Sequence, residues 1–128
     1  MANQHFPPDA HRSVPCGSAE PTEAQLSEAA GTFALLGSPV RLHLVWLIAQ
    51  GSADVSTLAA KVGVSVATAS QHLSKLRLAG VISMRRDGRR HLYAVDDPHV
   101  RTLIEQIFDH IAPDGSLAPD PSPEGDTS

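Results

Sequence analysis

Apolar residues recur at helical spacing through the middle of the chain, and the gaps between these stretches carry glycine, proline and capping residues. Thr22 stands three residues before Gln25, the spacing of a capping box. It opens a run with Leu26, Ala29, Ala30, Phe33 and Leu36 in phase, which Gly37 closes. Ser38 and Pro39 supply an N-cap and a first-turn proline for a second helix through Gln50, ended by Gly51. Its apolar face is Val40, Leu44, Leu47 and Ile48, with Trp46 placed to join the core. A short third helix is predicted over residues 55–62, stopped by Gly63. Ser65 caps a fourth, reaching about Ala79 with Gly80 just beyond it.

The period then changes. Residues 81–86 and 89–95 flank Asp87-Gly88, the strongest short-range signal for a β-hairpin. Asp97 and Pro98 open a last helix with Val100, Leu103, Ile104, Ile107, Phe108 and Ile111 along one side, stopping before Pro113. The predicted order is α-α-α-α-β-β-α: a mainly α fold with a β-hairpin wing, the layout of a winged helix-turn-helix. Residues 1–21 and 113–128 each hold four of the ten prolines and few aliphatics. They are expected to be a disordered N-terminal tail and a disordered acidic C-terminal tail, leaving residues 22–112 as one domain.

Length and composition narrow the function class. With 128 residues and 13.5 kDa there is room for one domain. No apolar run approaches the ~20 residues of a membrane helix, and residues 1–13 lack the apolar region of a secretory signal, so a cytoplasmic protein is expected. The single cysteine, Cys16, excludes an intrachain disulfide and a cysteine-only zinc cluster.

The net charge of −4 hides a strong asymmetry. Residues 37–95 carry eight Lys/Arg and two acids, a local charge of +6, while the rest of the chain is −10. A basic middle between acidic ends suits a polyanionic partner such as double-stranded DNA. On a helical wheel Ala69, Leu73 and Leu76 of the fourth helix point inward. Ala67, Ser70, Gln71 and Ser74 point outward, flanked by Thr68 and Lys75. That outer face is slim and contains no acid, as insertion into a major groove requires. Gln71 is the candidate for adenine readout, and Ser65, Thr68, Ser74 and Lys75 for phosphate contacts. Arg85, Arg86, Arg89 and Arg90 crowd the hairpin tip, a repulsive arrangement that phosphates would relieve.

These residues resemble the ArsR/SmtB family of small dimeric metal-sensing repressors. The matching stretches are Leu35-Leu36-Gly37-Ser38-Pro39-Val40-Arg41-Leu42, then residues 64–76 with Ser70-Gln71-His72-Leu73-Ser74-Lys75-Leu76, then Ala79-Gly80-Val81, then Arg85-Arg86-Asp87-Gly88-Arg89-Arg90 leading to Tyr93. The resemblance spans roughly residues 24–112 and lies nearest the nickel/cobalt branch. It implies a homodimer through the first and last helices, with repression altered by an effector. The six-residue apolar stripe of the last helix supports a dimer independently, because a ~90-residue monomer covers it poorly. His72 belongs to the family's fold pattern and reads as a packing or DNA-proximal residue.

The family's sensor sites can be checked one by one. A thiolate site on the third helix needs cysteines where this chain has Ser52-Ala53-Asp54-Val55-Ser56, so it is absent. The last-helix site uses Asp-x-His and a second His eleven residues on, matched here by Asp97, His99 and His110, while the fourth ligand position is Pro113. Eleven residues make three turns plus about 20°, placing both histidines on one face but ~16 Å apart. Only an antiparallel copy of the helix brings them to one ion, so the pattern implies two symmetric intersubunit sites. Nitrogen and oxygen ligands suit nickel or cobalt first and zinc second. Asp114, or His5 and His11 of the N-terminal tail, are candidate extra ligands. Asp97 is equally explained as a helix cap and His110 by the helix dipole, so a degenerate site answering to a redox, organic or protein effector remains the alternative. Nothing points to an enzyme: Ser70 and His72 have no neighbouring carboxylate in sequence and no phosphate-cradling glycine loop is present.

Overall fold

The computed structural model describes residues 19–118 and contains five helices and one hairpin in the expected order. Helix α1 is Glu23–Leu36, α2 is Pro39–Gln50, α3 is Val55–Val62 and α4 is Val66–Leu78. Strands β1 (Ser83–Asp87) and β2 (Arg90–Ala94) follow, and α5 is Pro98–His110. No single helix among the described residues is long and apolar enough to cross a membrane.

Local chemistry sets each boundary. The Thr22/Gln25 box forms reciprocally, with each backbone amide bonded to the other's side chain at 2.9 and 3.0 Å. Ser38, Asp54, Ser65 and Asp97 are the N-caps of α2 to α5, each accepting from a first-turn amide. Gly63 and Gly80 end α3 and α4 at φ of +85° and +79°, where L side chains are strained.

By its contacts the chain divides after Phe33, within α1. From Ala34 onward one apolar core gathers Leu36, Leu44, Val45, Ile48, Leu58, Leu73, Leu76, Val81, Ile82, Val95 and Ile104. In α1 only Leu36 is buried, while Leu26 and Phe33 stay exposed. Trp46, expected in the core, instead lies at the surface beside Leu42 and His43. Of the apolar stripe on α5 only Ile104 is buried; Phe108 and Ile111 are exposed.

The hairpin differs from the expected Asp87-Gly88 turn by one residue. Asp87 pairs with Arg90, so Gly88 and Arg89 make the turn. Only glycines have positive φ among the described residues, and Gly88 sits at +64°. An Asp-Gly turn of type I′ would force Asp87 to positive φ; placing Gly88 first, as in a type II′ turn, leaves it the sole residue there. Ala53 extends the sheet by pairing with Tyr93 through two backbone hydrogen bonds of 2.9 and 3.2 Å. The α2–α3 loop thereby pins the root of the wing.

The domain boundary expected at Ala112 is passed without a break. Ala112 donates to Ser116 O at 2.7 Å and accepts from the Gly115 amide at 2.8 Å, Ala118 donates to His110 O at 2.8 Å, and Ile111 bridges Leu117. A short reversal of residues 111–118 thus closes on the end of α5. The rest of both expected tails lies outside the described residues.

Candidate nucleic-acid interface and effector helix

Ala69, Leu73 and Leu76 are wholly buried, and this fixes how α4 is rotated about its axis. Ala67, Gln71, Ser74 and Lys75 consequently face outward, with Thr68 and Ser70 half-buried at the margins. Ser65 serves the helix first: its Oγ accepts from the Thr68 amide at 3.0 Å and its hydroxyl donates to Thr68 Oγ1 at 3.0 Å. The Ser65 proton is used in this way, and the hydroxyl proton left for an outside acceptor is that of Thr68.

The wing carries Arg85, Arg86, Arg89 and Arg90, all exposed. Directly opposed residues share a sheet face, so Arg85 stands with Leu92 and Arg90 on one side while Arg86 stands with His91 on the other. Arg90 turns back to Asp54, its Nε 3.1 Å from Oδ2. The other oxygen of Asp54 accepts from Thr57 at 2.9 Å. One carboxylate therefore caps α3 and tethers the wing. Its hydrogen bonds to Thr57, and then the Arg90 contact, hold its pKa below the ordinary carboxylate value. Among the described residues Arg85, Arg86 and Arg89 make no ion pair, which leaves three cations at the wing tip for a polyanion.

A slim, acid-free helix next to a cationic hairpin is a DNA-reading arrangement, and comparison with known proteins identifies its lineage. The profile of bacterial regulatory proteins of the arsR family matches residues 38–84, from the cap of α2 into β1. The chain is 37% identical over 84 residues to the HTH-type transcriptional regulator KmtR of Mycobacterium tuberculosis, covering 63% of this chain and 65% of that protein. It is 32% identical over 84 residues to a cadmium resistance transcriptional regulatory protein, a CadC homolog of Staphylococcus aureus, covering 65% and 69% of the two chains. The chain belongs to the arsR family. A solved homodimeric winged helix-turn-helix DNA-binding domain, that of Mb0332 from Mycobacterium bovis, a possible ArsR-family regulator, matches with a TM-score of 0.61 at 29% identity over 70% of this chain and 85% of that one. The arsR-family assignment makes the protein a DNA-binding transcriptional regulator and not an enzyme.

The effector residues expected of an arsR-family sensor lie at the two ends of α5. Asp97 Oδ1 accepts from the His99 amide at 2.8 Å and approaches His99 Nδ1 at 3.1 Å. The bond to the His99 amide is the main reason the Asp97 pKa is lowered. His99 is 94% exposed, so this pair faces solvent. His110 is exposed on the last residue of the helix. Asp114 is occupied locally, accepting from the Ser116 hydroxyl at 2.7 Å and amide at 2.9 Å, which lower its pKa. No group of three or more His, Cys, Asp or Glu converges among the described residues of one chain. His5, His11 and Cys16 lie outside those residues.

Two arginines matter that sequence reasoning passed over. Arg101 of α5 donates from Nη1 to Ala49 O and from Nη2 to Val95 O at 2.6 Å, joining α5 to the end of α2 and the end of the wing. Arg41 of α2 donates from Nε to Leu35 O at 2.6 Å and from Nη1 to His72 Nδ1 at 3.2 Å. Neither contact has a local sequence signal, since the partners are backbone carbonyls or a residue 31 positions away.

Proposed function

We propose that this protein is a homodimeric repressor whose affinity for its operator is altered by a transition-metal ion held on α5. The observation that carries the reading is the placement of Asp97 and His99 together at the start of α5, with His110 alone at its end. One chain cannot gather the three, and an antiparallel second copy of α5 can. The exposed Phe108 and Ile111 on α5, and separately the exposed Leu26 and Phe33 on α1, give a second copy apolar surface to cover.

The donor chemistry fits a metal of intermediate softness. A carboxylate only accepts, so the contact to Asp97 puts the His99 proton on Nδ1 and leaves the Nε2 lone pair exposed for a ligand bond. The second Asp97 oxygen and His110 supply the other donors, a nitrogen–oxygen set that suits nickel, cobalt or zinc over thiophilic ions. When bound, such an ion would tie the α5 helices of two subunits together. Arg101 then connects α5 to the wing, and the wing to the DNA. Gln71 reads a base edge while Thr68, Ser74, Lys75, Arg85, Arg86 and Arg89 hold phosphates. The cadmium-resistance relative supports a metal effector in general; this chain's Ser52-Ala53-Asp54-Val55-Ser56 offers no thiolates for a site on α3.

One observation favours a second reading. A mostly apolar cleft of about 670 Å³ lies between α2 and the end of α5, lined by Leu42, His43, Trp46, Phe108 and Ile111 among others. An organic effector of that size would act on the same helix. The test is an operator-binding titration at fixed salt with wild type and a His99→Ala/His110→Ala double variant, each with and without nickel, cobalt and zinc. A metal that shifts wild-type affinity at least tenfold, a coupling of ~1.4 kcal/mol, without moving the variant supports the α5 site. Equal binding by both proteins under every metal overturns it and turns attention to the cleft.

A further inference from the structure

His72 lies on α4 one position after Gln71, and its ring chemistry is settled by its neighbour. A guanidinium has donors and no acceptor, so the Arg41 Nη1 contact requires His72 Nδ1 to be the unprotonated nitrogen. The ring is then neutral and carries its proton on Nε2. Among the described residues Nε2 has no hydrogen-bond partner, yet no side-chain nitrogen there is both buried and unpartnered. The Nε2–H therefore reaches solvent. Partial burial first, then the charges of Arg41 and Lys75, lower the His72 pKa from the ordinary imidazole value, which favours this neutral form.

Spacing gives the exposed donor its context. Thr68, His72 and Lys75 stand at i, i+4 and i+7, which places them in one row along the edge of α4. Each offers a proton outward: the hydroxyl of Thr68 left over from the cap, the Nε2–H of His72 and the ammonium of Lys75. We propose that His72 is a DNA-contacting residue, its Nε2–H donating to a backbone phosphate in line with Thr68 and Lys75, and that Arg41 is the positioning residue that fixes its tautomer. Arg41 also holds Leu35 O in the last turn of α1, so the same guanidinium that aims the imidazole is fastened to the end of that helix. This inference rests on α4 being the recognition helix.

The mechanism makes an unusual pH statement. A histidine that simply faced phosphate would strengthen binding when protonated. Here protonation puts a second donor against the Arg41 donors and two cations in contact, which breaks the arrangement. The charged groups bearing on the ring are Arg41 from α2 and Lys75 from α4 itself; α3, which also packs on α4, carries Lys61, and its cap Asp54 is engaged by Arg90. DNA affinity should fall as the pH drops through the His72 pKa.

The experiment uses the full chain. Nitrogen-15 NMR of the wild-type imidazoles is expected to show His72 protonated at Nε2 alone, and Arg41→Ala to mix the tautomers. A His72 protonated at Nδ1 in the wild type overturns the proposal without any variant having to fold. Operator and non-operator DNA are then titrated with His72→Asn, which keeps an acceptor toward Arg41 and loses the outer donor, and with Thr68→Ala and Lys75→Ala. His72→Asn is expected to weaken both DNAs about tenfold with an unchanged salt slope, because a neutral donor releases no counterion. It should also abolish the loss of affinity that acid causes in the wild type. No change in affinity, or a salt slope reduced by one, overturns the proposal. If Thr68→Ala and Lys75→Ala are also without effect, the recognition-helix reading falls with it; if they weaken binding and His72→Asn does not, only the role of His72 falls.

Discussion

Arg101→Met tests whether α5 is fastened to the winged core by polar contacts or by packing alone. The guanidinium joins two backbone carbonyls, Ala49 O at the end of α2 and Val95 O after β2. Methionine preserves most of the apolar stem, so the substitution removes the donors and little else. Hydrogen bonds from a charged donor contribute about 1.5–3 kcal/mol each, and the freed carbonyls regain some water, so the expected loss is about 2–4 kcal/mol. In a domain of this size one kcal/mol corresponds to about 4–8 °C, and the midpoint should fall by at least about 8 °C. Arg101→Lys, which reaches one carbonyl at a time, should recover about half. The assay is urea unfolding followed by far-ultraviolet circular dichroism, with thermal melts in parallel. A variant within about 0.5 kcal/mol of wild type would refute the reasoning and show that Ile104, the one residue of α5 that is fully buried, suffices to dock the helix.

Other consequences can be measured on the same protein. Gly88→Ala meets no atom within 4 Å, so its effect isolates the cost of φ +64° for an L residue, about 1–2 kcal/mol, read as a lower urea midpoint at unchanged m-value. Asp54→Asn keeps a capping side chain for α3 but discharges the partner of Arg90; the plot of log affinity against log salt should steepen by about one as Arg90 becomes available to phosphate. Folding stability should rise with pH through the window just below 6.5, because the unfolded chain binds a proton at His72 more readily than the folded one. His72→Asn should flatten that part of the profile in chemical denaturation, and a wild-type profile already flat there would contradict the half-buried, neutral ring.

Much of this architecture could be read from residues in order. Helix starts and stops are local events: a capping serine, threonine or aspartate, a first-turn proline and a terminal glycine act within four residues. All five helices accordingly begin and end within a residue or two of where the sequence places them. The inward face of α4 followed from periodicity alone, and with it the outward face proposed to read DNA. The hairpin turn slipped by one residue because two dipeptides, Asp87-Gly88 and Gly88-Arg89, competed. The backbone penalty on Asp87 at positive φ separates them, since only Gly88 of the two takes that conformation.

Tertiary structure decided what no spacing encodes. It turned Arg90 from a free wing cation into the partner of Asp54, 36 residues away, and exposed Trp46 and Phe108 on the cleft between α2 and α5. It also set His72 Nδ1 against the guanidinium of Arg41, 31 residues away. Periodicity reports which face of an element is apolar; it carries no information about which distant face will cover it. Long-range hydrogen bonds to backbone carbonyls leave no trace in residue type, because every residue has a carbonyl. The composition of the helices and the wing was therefore written in the chain, while the contacts that join α5, α2 and α4 exist only once the elements have packed.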